Sequence, residues 1–381
     1  MKIVVALDSF KGCMSSRDAG EIVARGLAEA PLGADVTVIA TADGGEGTTD
    51  AVIEATGGEL RSATVMGPLG DPVTARFGVV PGGRTAVLEM ASASGIELVP
   101  PGRLDPLAAT SYGTGELILS ALDAGARDLI VGVGGSATVD GGVGMAQALG
   151  WGVLRADGTD CSLGGGALGT VDRIDGLGVR RELAFSRIRV ACDVTNPLLG
   201  ERGAARVFGP QKGATPDVVA ELERGLEHLA EVWRREGLLD AVDRPGDGAA
   251  GGLGAGLRAF CRAELCVGAE LIAETTGLDR TIRDADVLIT GEGRTDAQTI
   301  GGKLPAVLAA EARRAGVASV LVSGAIVGDL PELDELFDAR FATVGADVPS
   351  DVAIRNGRAN LAATARKVGR ALASGTIGSV V

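Results

Sequence analysis

A single histidine, His228, serves the whole 381-residue chain, and aromatic side chains make up only 3% of it. That scarcity excludes several chemistries. A Ser-His-Asp triad would have to take its base from His228, which sits in a polar-rich stretch that reads as the solvated face of a helix. A histidine-ligated zinc centre has no ligand set. Few aromatics leave few platforms for stacking single-stranded nucleic acid. The five cysteines (Cys13, Cys161, Cys192, Cys261 and Cys266) form no Cys-x-x-Cys pair and no metal-ligand rhythm. An odd, scattered set reads as reduced thiols, so a cytoplasmic location is expected. Residues 1–7 followed by Asp8 are too short an apolar run for a secretion signal. The apolar run 317–330 is interrupted by Ser323, Gly324, Gly328 and Asp329, so no membrane span is expected.

Lysine is scarce too. Only Lys2, Lys11, Lys212, Lys303 and Lys367 stand among the 36 basic residues; arginine supplies the rest. Lys11, Lys212 and Lys303 each adjoin a glycine, which marks them as places that need a compact ammonium rather than a guanidinium fork. The net charge of −14 argues against a nucleic-acid or anionic-membrane partner. It leaves room for a small anion held in a local positive pocket.

What is present in quantity is glycine, 60 residues of it, falling at apparent element ends. Hydrophobic and charged fractions of 46% and 23% are those of a soluble globular protein. The length exceeds what one core usually supports, so two domains are expected. Residues 2–7 and 35–40 are apolar runs of strand length, each followed by a helical pattern, which argues a parallel sheet. From 61 the pattern changes to short alternating runs (61–65, 73–80, 86–89) between Gly/Pro turns, as in a β-meander. Helices are expected at 114–125, 142–149, 217–237 and 253–265, with strands at 128–133 and 188–191. The β/α rhythm returns with strands at 286–290, 317–322 and 341–344 and helices at 303–315 and 359–372. The expected architecture is α/β with two domains and no internal repeat. Residues 1–60 plus 283–381 would form a discontinuous, Rossmann- or flavodoxin-like parallel-sheet domain, with a mixed α/β domain, 61–282, inserted.

In open α/β sheets ligands gather outside the carboxyl ends of the strands. Every polar glycine cluster falls at such an end: Asp8-Ser9-Phe10-Lys11-Gly12, the loop 42–48, Gly134-Gly135-Ser136 with Asp140, the loop 193–197, the loop 291–296, and Ser323-Gly324. With histidine absent from them, the available chemistry is carboxylates (Asp8, Asp43, Glu46, Asp140, Asp193, Glu292, Asp296), lysines and glycine loops. Hard carboxylates suit Mg²⁺, and lysine with backbone N–H groups suits phosphates. That is the equipment of phosphoryl transfer. No Gly-x4-Gly-Lys-Ser/Thr loop is present, because Gly301-Gly302-Lys303 is followed by Leu304. The run Gly132-Val133-Gly134-Gly135-Ser136-Ala137 fits a dinucleotide pattern formally but lacks the acidic residue beyond a following strand. Several of these residues have purely structural readings. Asp43 with Glu46 could cap a helix, Asp193 could cap a turn, Arg294 could pair with Glu292, and the segment 90–95 could be a plain turn.

These blocks resemble the bacterial type I glycerate kinases. The resemblance runs from Asp8-Ser9-Phe10-Lys11-Gly12 and Ala42-Asp43-Gly44-Gly45-Glu46-Gly47-Thr48 through Glu89-Met90-Ala91-Ser92-Ala93-Ser94-Gly95 and Gly134-Gly135-Ser136-Ala137-Thr138-Val139-Asp140. It continues through Asp193-Val194-Thr195-Asn196-Pro197 and Phe208-Gly209-Pro210-Gln211-Lys212-Gly213 to Gly291-Glu292-Gly293-Arg294-Thr295-Asp296. It implies phosphorylation of D-glycerate by ATP and Mg²⁺, usually to 2-phosphoglycerate, in a cleft between two domains. On that basis Lys11, Ser9, Gly12, Gly134, Gly135, Ser136 and Lys303 are expected at phosphates. Asp193 or Asp140 would take the hydroxyl proton. Ser92, Ser94 and Arg294, or Lys303 in place of Arg294, would hold glycerate; Asp43, Glu46 and Asp296 would bind Mg²⁺. The nearest alternatives are 3-phosphorylation and a kinase for a related hydroxy acid. An NAD(P)-dependent oxidoreductase and a non-catalytic small-acid binder lie further off. Oligomeric state is not legible.

Overall fold

Each face of a fully covered parallel strand is apolar, and residues 2–7 meet that requirement. Ile3, Val5 and Leu7 point to one core and Val4 and Ala6 to another, all 3% exposed or less. The computed structural model describes residues 1–377. By internal contacts the chain divides into two units, Met1–Asp43 with the residues from Val267 onward, and Gly44–Cys266.

In the first unit the strands Ala339–Ala342, Ala318–Ser323, Val287–Gly291, Lys2–Leu7 and Asp35–Val38 lie side by side in that order. All four pairings are parallel. The helices Ser16–Ala28 and Gly357–Ala373 cover one face, where Ile22, Val23, Leu27, Leu361, Ala365 and Val368 pack on the strands. Gly268–Thr276, Leu278–Arg283 and Leu304–Ala315 cover the other. This is the parallel-sheet α/β arrangement expected from both chain ends.

The second unit holds a six-stranded sheet in the order Glu264–Cys266, Arg187–Ala191, Asp128–Gly132, Thr85–Glu89, Pro72–Val79, Glu59–Met66. The first three pairings are parallel and the last two antiparallel. The expected meander is therefore the antiparallel half of a mixed sheet. The helix Thr48–Thr56 packs on this meander and belongs to this unit. Trp233 of the helix Pro216–Arg235 is fully buried, edge-on to Phe260 at 5.8 Å. The helix expected over 253–265 starts as expected at Leu253, after the left-handed residues Ala250, Gly251 and Gly252, but stops at Cys261. Arg262 takes a left-handed φ of 53°, ending the helix, and Glu264–Cys266 becomes an edge strand. Among the described residues no helix is long and apolar enough to cross a membrane.

Candidate active site

Four parallel strands of the first unit deliver their carboxyl ends to one cavity of about 310 Å³. Asp8 follows Leu7, Glu292 follows Gly291, Gly324 follows Ser323 and Thr343 follows Ala342, and all line it. Ser9, Lys11, Asp43, Arg294, Asp296 and Lys303 line it as well, so six of the residues expected at phosphate, substrate or Mg²⁺ meet here, beside the carboxylates Asp8 and Glu292.

Asp8 is fixed by the sheet itself. Its N–H donates to Gly291 O at 2.8 Å, prolonging the parallel ladder by one residue. Its Oδ1 accepts the Ser9 N–H at 2.7 Å. Only 8% of the residue is exposed. Burial, then repulsion from Asp43 and more weakly Glu292, pushes its carboxyl up to about 7 against the Ser9 N–H and Lys11. A carboxylate poised there can exchange a proton near neutral pH. Glu292 is also buried, with Oε1 accepting the hydroxyls of Thr299 at 2.6 Å and Thr295 at 3.2 Å. Burial raises it, and the Thr299 hydroxyl and Lys303 oppose that.

The cations of this cavity are less confined. Lys11 is exposed in the turn between the bridged residues Phe10 and Met14. Gly12 belongs to that turn but does not line the cavity. Lys303 immediately precedes the helix Leu304–Ala315, whose first N–H groups favour anions. Arg294 is exposed and 3.8 Å from Asp296, a separation that costs little to break. Asp296 has a structural duty: its Oδ1 accepts the Gln298 N–H at 2.9 Å and so caps Ala297–Ile300.

The second unit has its own cavity of about 330 Å³, lined in part by Glu46, Gly47, Ser92, Gly134 and Gly135. The glycine loop after Asp43 lies on the end of the strand Asp128–Gly132, and a Cβ on Gly132 would stand 2.6 Å from Gly44 O. Gly135 has φ +69°, so the turn accepts no ordinary side chain at that position without strain. Neither amide of Gly47 and Thr49 is open to a ligand, because Glu89 accepts both, at 3.1 and 2.7 Å. Burial holds the Glu89 carboxyl above its usual range. Ser92 Oγ accepts the Arg76 N–H at 2.7 Å.

Three expected site residues of this unit are interior. Ser94 is fully buried, and its Oγ accepts the Thr114 hydroxyl at 3.0 Å. Ser136 is 7% exposed and accepts from the Lys212 ammonium at 2.6 Å. Asp140 has no exposure and four donors: Ser111 N and Oγ, both at 2.8 Å, Gly142 N at 3.1 Å and Gly144 N at 3.3 Å. Burial raises its carboxyl despite them. With both oxygens engaged it anchors the turn, which removes the geometric basis for reading it as a proton acceptor. Asp193 is exposed in the loop after Arg187–Ala191 and lines neither cavity. His228 sits on Pro216–Arg235 and pairs through Nε2 with Val171 O at 2.7 Å. The helix after Gly132 begins only at Val143, so the glycine run does not open a helix as a dinucleotide fingerprint must.

With this geometry, comparison with known proteins is decisive. The glycerate kinase family model matches residues 3–373. The chain belongs to the glycerate kinase family. It is 45% identical to the glycerate 2-kinase of Escherichia coli K12 over 98% of this chain and 99% of that one. It is 44% identical to a glycerate kinase of Bacillus subtilis 168, covering 97% of each. A crystal structure provisionally described as glycerate kinase 2 of Salmonella typhimurium LT2 superposes with a TM-score of 0.87 at 44% identity, covering 99% of each chain. Family membership makes the chain an enzyme of the kinase class, with a hydroxyl as phosphoryl acceptor. Within the family's blocks, no individual role for Asp8, Glu292 or Glu89 is legible from sequence. Their spacing is ordinary, and only partners from distant strands and loops reveal their environment. Lys212 did carry a signal, a lysine retained in an arginine-rich chain.

Proposed function

We propose that this chain transfers the terminal phosphoryl group of ATP to D-glycerate, giving 2-phosphoglycerate. The observation that carries the reading is the first unit's cavity, where a buried carboxylate, Asp8, shares a wall with Lys11, Arg294 and Lys303. Phosphoryl transfer needs positioning, neutralised charge and a proton acceptor more than covalent chemistry. Asp8 is that acceptor here, in place of Asp140, which is engaged, and Asp193, which lies outside both cavities. Lys11 meets the transferring phosphoryl group. Arg294 offers its planar fork to the glycerate carboxylate, and Lys303 adds charge at a helix start. The backbone of Gly134 and Gly135 meets nucleotide phosphates.

Mg²⁺ takes most of its ligands from nucleotide phosphates and water, with one or two carboxylates from the protein. Among the described residues no three His, Cys, Asp or Glu side chains are arranged to hold a metal ion. The donor chemistry therefore fits an ion arriving with ATP and met by Glu46, an exposed carboxylate on the cavity that Gly134 lines. When bound, it would neutralise phosphate charge.

Incubation with MgATP and D-glycerate, followed by ³¹P NMR, should show 2-phosphoglycerate. A 3-phosphoglycerate signal would overturn the product, and no transfer would overturn the reading. Lys11→Ala should lower kcat by about 10²-fold or more if the ammonium stabilises transferring charge. A near-normal kcat removes it from that role.

A further inference from the structure

Lys212 is the one lysine of the five that is buried, with 1% of the residue exposed. It ends the short turn Pro210–Lys212 and sends its ammonium to Ser136 Oγ at 2.6 Å and Thr138 O at 2.7 Å. Burying an ammonium is costly, and a core that needed only stability would do as well with an apolar side chain. Burial pulls the group down to about 7, with Asp140 opposing. Yet its partners lie next to Gly134 and Gly135, which are exposed and carry no side chain to fix their own conformation. Among the described residues, the bonds that hold the turn include Ile96 N to Gly135 O at 2.8 Å, Ala137 N to Ser94 O at 3.0 Å and the two from Lys212, with a longer one from Thr138 Oγ1 to Ala250 O at 3.5 Å.

We infer that Lys212 is a positioning residue for nucleotide binding, holding the Gly134-Gly135-Ser136 turn through Ser136 Oγ and Thr138 O so that its backbone meets phosphate already ordered. The inference rests on the proposed role of that turn at nucleotide phosphates. Preorganisation acts on affinity, because a loose turn must be ordered at the expense of binding. A residue that only supports the core would shift stability and leave affinity alone.

The test is MgATP titration by calorimetry on the full chain, with thermal unfolding and steady-state kinetics alongside. Lys212→Met should raise the Kd for MgATP tenfold or more while kcat at saturating ATP changes less than threefold. Ser136→Ala, which leaves the bond to Thr138 O, should weaken binding less and in the same direction. The double variant should bind no worse than Lys212→Met, since both changes remove one interaction. A folded Lys212→Met with unchanged Kd overturns the inference. Should Lys212→Met not fold, Ser136→Ala decides, and its unchanged Kd overturns the inference equally. Wild-type protein that binds MgATP but leaves D-glycerate unphosphorylated overturns the proposed function while leaving this test standing. Wild-type protein that binds no MgATP overturns both.

Discussion

Asp8→Asn should lower kcat by about 10²–10⁴-fold, the range a positioned general base supplies. The amide keeps the shape and can still accept the Ser9 N–H, but it takes no proton from a hydroxyl. Asp193→Asn should leave kcat within about threefold, because Asp193 lines neither cavity. The reverse pattern would return the role to Asp193. Loss of activity through misfolding is separable, since the two effects have opposite signs. The folded-state pKa of Asp8, about 7, lies above the ordinary aspartate value of 3.8. Between those values the folded chain binds a proton that the unfolded chain releases, so this group's contribution to stability falls as pH rises and is lowest above about 7. Asparagine carries no such penalty. At pH 8 the variant should unfold at higher temperature than wild type, by about 2–4 °C for each kcal/mol recovered.

The same group sets a pH profile. A base must be ionised to work, so kcat/KM should fall as pH drops through about 7, the value to which burial and Asp43 raise Asp8. Asp8→Asn should abolish that acid limb along with most of the rate. An unchanged limb in the residual activity would assign it to another group.

The strands were legible because their environment is local in sequence. A parallel strand covered on both faces must read as a continuous apolar run, and 2–7, 286–290 and 317–322 do. The meander was legible from alternation and Gly/Pro turns. The edge strand Glu264–Cys266 was not, because its apolar residues continue the helical pattern before it and only the left-handed backbone at Arg262 separates the two. The helices Gly268–Thr276 and Leu278–Arg283, which cover one face of the parallel sheet, also went unread. The site divides in the same way. Glycines and carboxylates at strand ends located the cavities, but not each carboxylate's duty. An aspartate in a glycine loop reads the same whether it faces a ligand, as Asp8 faces its cavity, or turns inward to four donors, as Asp140 does. What separates them is which distant residues close around each oxygen.

Asp247→Ala should be among the most destabilising single changes in the second unit. Asp247 is fully buried, with Oδ1 and Oδ2 2.5 and 2.6 Å from Nη1 of Arg258, itself 9% exposed, and Oδ2 also accepts the Arg244 N–H at 3.0 Å. Burial raises the carboxyl even beside that guanidinium, so desolvation outweighs the attraction. The pair as a whole therefore adds little stability, while removing one partner strands a buried charge at a cost of about 3–5 kcal/mol. The urea midpoint should fall accordingly with the slope unchanged. Arg258→Met added to Asp247→Ala should recover a large part of the loss, because the stranded charge is then gone. The neighbouring loop gives the pair a second consequence. Gly248, next to Asp247, donates its N–H to Asn196 O at 2.9 Å, tying down the segment that follows Asp193. If that segment takes no part in proton transfer, the double variant should keep most of its kcat despite the altered anchor. A double variant that is stable yet inactive would bring the Asp193 loop back into the chemistry.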